Sequence, residues 1–211
     1  MAETQIKICG LSTPEAIDAA VAARATHIGL VHYPPSPRHV TLEQAMQLRV
    51  RVPAEVKVVL LLVNEQPIPT MQAINAVRPD VVQFHGTEAP EWLAVLKQAG
   101  AKELWKAIGV KEAEALERAK RYNGVADLLL YDAPAQAMPG GTGLAIDWSL
   151  FSGFKHEMPW GLAGGLTPEN VAEAIRATGA PLVDASTGLE SSPGVKDMDK
   201  IAAFCQAARA A

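Results

Sequence analysis

Apolar and polar positions along the chain repeat with two alternating spacings. Short apolar runs of strand length are each followed by a turn, and then by a stretch whose apolar residues recur at helical spacing. The runs predict strands at Gln5–Cys9, His27–Val31, Val56–Val63, Asp80–Phe84, Glu103–Ile108 and Asp127–Tyr131, then one ending at Ala163, and one at Pro181–Asp184. Between and after them the pattern predicts helices from Thr13 to Arg24, from near Thr41, over Pro67–Val77, Glu88–Ala99 and Lys111–Tyr122, from Asp147, from Thr167 to Thr178, and from Lys196-Asp197 to about Ala208. Val56–Val63 is apolar without interruption, as expected of a strand buried on both faces. Eight strand–helix units in this order predict one parallel (β/α)8 barrel domain over residues 1–211. A flavodoxin-like open sheet, the nearest alternative, has fewer units.

The alternation assigns faces. Along the first strand Gln5, Lys7 and Cys9 share one side, and Ile6 and Ile8 the other. With the isoleucines under the helices, Cys9 points inward at the strand's C-terminal end, where barrel enzymes keep their chemistry. Asp132 ends the sixth strand and is placed for acid or base work, or for capping its own turn. Arg38 lies in the stiff loop His32-Tyr33-Pro34-Pro35-Ser36-Pro37-Arg38-His39, where its guanidinium could meet a carboxylate or simply face solvent. His85 shares a face with Gln83 and either reaches the barrel mouth or is a hydrogen-bonded structural histidine. Asp184 points toward the mouth, to sugar hydroxyls or to its own turn.

Two bare-backbone turns follow late strands. Ala163-Gly164-Gly165 leads into Thr167-Pro168-Glu169, which reads as a helix start, and Ser186-Thr187-Gly188 follows the last strand. Glycine lets amide N–H groups approach a ligand, and a barrel commonly binds phosphate after strands 7 and 8. The plainer alternative is that the glycines only make tight turns. Pro139-Gly140-Gly141-Thr142-Gly143 belongs to a long loop able to fold over a ligand.

Composition narrows the partners. The 211 residues carry a formal net charge of −4, which gives no electrostatic footprint for nucleic acid or an anionic membrane. The start of the chain does not read as a signal peptide, and no apolar run is long enough to span a bilayer. Two cysteines, Cys9 and Cys205, make neither a disulfide framework nor a metal-spaced cluster, and a cytoplasmic location is expected. Cys205 falls in an apolar helical stripe and reads as core. No dinucleotide fingerprint or metal cluster calls for a cofactor. A thiol on one side of the barrel and a carboxyl on the other form an acid–base pair suited to an isomerisation that moves a proton from carbon. The substrate would be a small molecule with a phosphate at one end and a carboxylate at the other.

Taken together, Lys7-Ile8-Cys9-Gly10, Ser36-Pro37-Arg38-His39-Val40, Gln83-Phe84-His85-Gly86, Gly140-Gly141-Thr142-Gly143, Ala163-Gly164-Gly165-Leu166-Thr167-Pro168-Glu169-Asn170-Val171 and Ser186-Thr187-Gly188-Leu189-Glu190 closely resemble the phosphoribosylanthranilate isomerases of tryptophan biosynthesis. The resemblance covers nearly the whole chain, in the family's order. It implies an Amadori rearrangement of N-(5-phosphoribosyl)anthranilate to 1-(2-carboxyphenylamino)-1-deoxyribulose 5-phosphate, without cofactor, by a monomer or homodimer. It implies Asp132 as general acid, Cys9 as general base and Arg38 as the anthranilate-carboxylate ligand. Gly164, Gly165, Ser186, Thr187 and Gly188 would bind the phosphate, Gly141, Thr142 and Gly143 would cover it, and Asp184 would lie near the ribose hydroxyls, with His85 also among the substrate ligands.

The sequence departs from the family's pattern at three places. His32 stands where phenylalanine is common, Phe84 replaces a frequent leucine, and Thr187 a frequent serine. An indole-glycerol-phosphate synthase would carry catalytic lysines at strand ends, whereas here the first strand ends in Cys9 and Lys106 is the only other candidate. A non-enzymatic sugar-phosphate binder would need neither Cys9 nor Asp132. A free thiol is mostly protonated at neutral pH, so a base at Cys9 needs help, and Lys7 on the same face is the nearest cation in sequence.

Overall fold

The computed structural model describes residues 3–133 and 146–211. Eight parallel strands close into a barrel: β1 Gln5–Cys9, β2 His27–Val31, β3 Lys57–Leu62, β4 Val81–Phe84, β5 Leu104–Gly109, β6 Leu128–Asp132, β7 Trp160–Leu162 and β8 Leu182–Ala185. Closure is made by β1 on β8, with Lys7 opposite Asp184. Around the barrel run α1 Pro14–Ala22, α2 Leu42–Arg49, α3 Pro67–Val77, α4 Pro90–Gln98, α5 Glu114–Ala119, α6 Val171–Thr178 and α7 Met198–Arg209. The (β/α)8 expectation holds.

Strand alternation divides the core in two. Ile6 and Ile8 face outward and join the helix-covered layer with Ile17, Ile201 and Phe204. The barrel interior is filled by Val59, Val81, Trp105, Leu128, Leu130, Ala163 and Leu182. Cys9, Val31 and Leu61 pack together nearer the strands' C-terminal ends, with Tyr33 and Val63 over them. An apolar plug therefore closes the barrel, with Cys9 and Asp132 at the strands' C-terminal mouth and His27 buried near the other end.

Side-chain caps explain the starts of α1, α2 and α7. Thr13 accepts a hydrogen bond from the Ala16 amide with Pro14 in the first turn, and Thr41 and Gln44 form a reciprocal capping box. Asp197 caps α7 through the Asp199 and Lys200 amides. Gly179, at φ 68°, ends α6.

Four stretches differ from the sequence expectation. The helix expected from Asp147 is a single 3-10 turn, Trp148–Phe151, although Asp147 does cap it. Gly153 turns the chain away at φ 73°, and Phe151 and His156 stack on Trp160, so an aromatic cluster covers β7. The segment after β5 is a short α5 followed by a 3-10 turn, Lys120–Tyr122. Thr167-Pro168-Glu169 is a turn and not the start of α6. Asn170 folds back to accept from the Thr167 amide (2.8 Å) and donate to the Gly165 carbonyl (2.9 Å), which delays the helix to Val171. Finally, a small antiparallel hairpin, β9 Glu190–Ser192 and β10 Val195–Lys196, stands between β8 and α7. Gly194, at φ 82°, makes its turn.

Candidate active site

Cys9 ends β1 inside the mouth and is almost fully buried. Space for its thiol comes from β2. A side chain on Gly29 would put Cβ 2.8 Å from Cys9 Sγ. One inward position below, two residues back along β1, Lys7 is fully buried, and its Nζ donates to Asp184 Oδ2 at 2.7 Å. Although burial works against its charge, Asp184 and Cys9 raise the Lys7 pKa, so the ammonium persists inside the barrel. Burial pushes the Cys9 thiol up, Lys7 opposes the shift without cancelling it and Asp184 adds to it, so the thiol stays above its ordinary value. The other oxygen of Asp184, Oδ1, is buried without a hydrogen-bond partner among the described residues.

Asp132 ends β6, across the barrel from Cys9 in strand order. The capping reading of this residue holds on one oxygen, and the other faces a histidine. Oδ1 accepts from the Ala133 amide at 2.7 Å, and Oδ2 lies 3.3 Å from His85 Nε2. His85 Nδ1 in turn is 3.3 Å from the Gln83 amide nitrogen. His85 thus reaches the mouth as part of the chain Gln83–His85–Asp132.

The two glycine turns pack on their neighbours. At Gly164 (φ 80°) an added Cβ would lie 2.3 Å from the Ala133 nitrogen and 2.9 Å from Asp132 Oδ1. At Gly188 it would lie 2.1 Å from the Leu166 carbonyl oxygen. The plain reading, that glycine permits close turns, is therefore true at both, and it brings the β7 turn against Asp132 on one side and the β8 turn on the other. Gly165 also has positive φ, at 71°. Ser186 Oγ faces Gly10, where a Cβ would come within 3.1 Å of it and 2.9 Å of Arg38 Cγ.

Arg38 is not a free surface arginine. Its Nε and Nη2 donate to Glu190 Oε1 (2.8 Å) and Oε2 (2.6 Å), and Nη2 stands 3.5 Å from Thr187 Oγ1. Lys196 Nζ donates to the same Glu190 (2.8 Å) and to the carbonyl and hydroxyl oxygens of Ser186 (2.9 and 3.2 Å). Burial opposes ionisation of Glu190, but the hydrogen bonds from Arg38 and Lys196 outweigh it and hold its pKa at about 2.

The arrangement joins the Cys9 thiol and the Asp132 carboxyl to two glycine turns and a cationic cluster at one mouth. Residues 6–207 match the family model described as N-(5'-phosphoribosyl)anthranilate (PRA) isomerase. The chain belongs to the phosphoribosylanthranilate isomerase family. It is 61% identical over 206 residues to the N-(5'-phosphoribosyl)anthranilate isomerase of Erythrobacter litoralis, covering 98% of this chain and 99% of that one. The phosphoribosyl anthranilate isomerase of Thermotoga maritima superposes with a TM-score of 0.89 at 33% identity, covering 99% of this chain and 100% of that one. A phosphoribosyl anthranilate isomerase in complex with reduced 1-(o-carboxyphenylamino)-1-deoxyribulose 5-phosphate superposes with a TM-score of 0.85 at 32% identity, with the same coverage.

Against this family, the structure brings together Cys9, Asp132, His85, Asp184, Arg38, Gly164, Gly165, Ser186, Thr187 and Gly188 at the strands' C-terminal ends or the loops after them. Gly141, Thr142 and Gly143 lie outside the described residues. Lys106 points outward from the barrel, on the face it shares with Phe84. It is buried against Glu88 (3.1 Å) and the Gly86 carbonyl (2.7 Å), so it offers no catalytic amine at the mouth. His32 is a loop-packing residue, with Nδ1 2.9 Å from the Val40 carbonyl and its ring tilted against His39. Cys205 is core, its thiol pushed up to about 11 by burial. Among the described residues no group of three or more His, Cys, Asp or Glu side chains could hold a metal ion, and no helix is long and apolar enough to cross a membrane. Sequence reasoning missed Glu190 and Lys196 as site residues. The signal was Ser192-Pro193-Gly194, a turn between two charged residues that implies a hairpin.

Proposed function

We propose that this enzyme converts N-(5'-phosphoribosyl)anthranilate to 1-(2-carboxyphenylamino)-1-deoxyribulose 5-phosphate in tryptophan biosynthesis, with Asp132 as general acid and Cys9 as general base. The carboxyl of Asp132 gives its proton to the ribose ring oxygen. The C1–O bond breaks as the nitrogen lone pair forms C=N, opening the ring to a protonated Schiff base. The Cys9 thiolate takes the proton from C2, and the released electron pair forms an enolamine. Protonation at C1 and loss of the hydroxyl proton at C2 give the aminoketone. The observation that supports this most is a thiol ending β1 and a carboxyl ending β6, three strands apart around one mouth, in a chain of this family.

The remaining groups suit the two ends of that substrate. The turns at Gly164-Gly165 and Ser186-Thr187-Gly188 offer backbone amides to the phosphate, and Gly141-Thr142-Gly143 would close over it. Arg38 takes the anthranilate carboxylate with the N–H groups that Glu190 leaves free. Asp184 Oδ1, buried and unpartnered among the described residues, takes a ribose hydroxyl. Lys7 and Lys196 lower the cost of the Cys9 thiolate, against its burial. The test is loss of the fluorescence of freshly made phosphoribosylanthranilate on adding the purified protein. Rapid loss is expected. Absence of turnover with retained binding of the reduced product analogue would leave a binding protein and remove the enzyme reading.

A further inference from the structure

A buried lysine and a half-buried arginine share one buried carboxylate beside the mouth. Glu190 receives four donors: Arg38 Nε and Nη2, Lys196 Nζ, and the Gly194 amide at 3.2 Å. The side chains of Glu190 and Lys196 are only 3% and 2% exposed, while that of Arg38 is 21% exposed. Packing enforces the arrangement. A Cβ on Gly194 would lie 2.4 Å from the Pro37 carbonyl oxygen, so the β9–β10 hairpin sits directly on the proline loop that carries Arg38.

Pairing of Arg38 does not by itself require Lys196. Arg38 and Glu190 already form a bidentate, charge-balanced pair, and burying a further ammonium costs desolvation that a nonpolar residue would avoid. Lys196 changes the charge, however. An Arg38–Glu190 pair alone is neutral and presents only a dipole to an incoming anion. With Lys196 on the same carboxylate the three side chains sum to one positive charge, and Arg38 Nη1, which has no hydrogen-bond partner among the described residues, is the end of that cluster left to a ligand. Glu190 fixes the direction of the guanidinium, and Lys196 restores the charge that Glu190 cancels.

We infer that Lys196 is a positioning residue that acts through Glu190 to keep Arg38 effectively cationic, and so sets the affinity for the carboxylate end of the substrate. This rests on the assignment of Arg38 to the anthranilate carboxylate. A merely structural lysine would hold the Ser186 turn, and its loss would weaken every phosphorylated ligand alike.

The experiment compares equilibrium binding of two ligands by calorimetry: reduced 1-(o-carboxyphenylamino)-1-deoxyribulose 5-phosphate and its counterpart without the carboxyl group. Wild type, Lys196→Met and Lys196→Arg are measured. Lys196→Met is expected to weaken the carboxylated ligand by about tenfold or more, while the counterpart changes by no more than about twofold, because only the former meets the lost charge. Lys196→Arg is expected to restore most of the difference. Equal weakening of both ligands, or no weakening, overturns the inference. If Lys196→Met does not fold, the wild-type ratio of the two affinities is followed with added salt. A ratio that shrinks supports a net positive cluster, and a salt-independent ratio contradicts it. Equal affinity of wild type for the two ligands removes the Arg38 assignment itself, whereas a wild-type preference left intact in Lys196→Met removes only the role of Lys196.

Discussion

Lys7 and Asp184 meet at 2.7 Å inside the barrel, on the two strands whose pairing closes it. The lysine lies one inward position below Cys9, so the same ammonium neutralises a buried carboxylate and faces the thiol. A single ion pair thus links barrel closure to the charge state of the proposed base.

Replacing Lys7 with methionine tests that link. The substitution is expected to move the pH midpoint of Cys9 alkylation upward, because Lys7 lowers the thiol pKa and Asp184 raises it. It should also cost about 3–5 kcal/mol of stability, since Asp184 is left buried without its partner. Iodoacetamide rates against pH and denaturant melts measure the two effects. An unchanged alkylation midpoint would detach Lys7 from the chemistry.

Asp132→Asn separates acid from cap. The amide oxygen of asparagine can still accept from the Ala133 amide, so the turn after β6 should persist. It cannot supply the proton. We expect kcat to fall by about 10²–10⁴ with product-analogue affinity changed only slightly. Loss of the circular dichroism spectrum would instead make Asp132 structural.

Gly29 should not tolerate a methyl group. A Cβ there falls 2.8 Å from Cys9 Sγ and 3.0 Å from Cys9 Cα. In Gly29→Ala the thiol must shift, and a displacement of order 1 Å can cost about 10²-fold in rate. The expected signature is a kcat loss larger than the loss in analogue binding, read from steady-state kinetics and calorimetry. Unchanged kcat would mean that Cys9 has room the structure does not show.

The fold should weaken in mild acid through His27. This histidine is buried at the start of β2 against Trp105, and burial pushes its pKa down to about 3, with Lys57 and Lys7 adding to the shift. The unfolded chain takes up the proton near pH 6.5, and the folded chain does not. Stability from this source is therefore full above that pH and declines as pH falls toward 3, by about 2 kcal/mol at pH 5. Chemical denaturation between pH 7 and pH 5 measures it, and His27→Gln should flatten the profile. Glu190, held at about 2, adds a further loss only below its ordinary range of about 4.5.

Much of this architecture is legible in the chain. Strand alternation places Ile6 and Ile8 outside and Lys7 and Cys9 inside because a two-residue period leaves no choice once the helices cover one face. Asp132 at the end of an apolar run has nowhere to go but the mouth. What the chain hides is long-range pairing. Arg38 and Glu190 are 152 positions apart, and no local pattern says that the arginine's fork is already half occupied. The Thr167-Pro168-Glu169 stretch has the composition of a helix start, yet Asn170 wins the Thr167 amide and Gly165 carbonyl and makes a turn instead. The helix expected at Asp147 loses to aromatic stacking of Phe151 and His156 on Trp160, a contact that helical periodicity cannot register.

Whether Cys9 takes the C2 proton is decided by comparing wild type with Cys9→Ser on freshly made phosphoribosylanthranilate, with product-analogue binding measured in parallel. Serine keeps the size and lacks an accessible anion at neutral pH. Turnover should fall by about 10²–10⁴ while analogue affinity stays within a few-fold of wild type. A serine variant that retains turnover within about tenfold, a smaller loss than removal of a general base produces, would contradict the account.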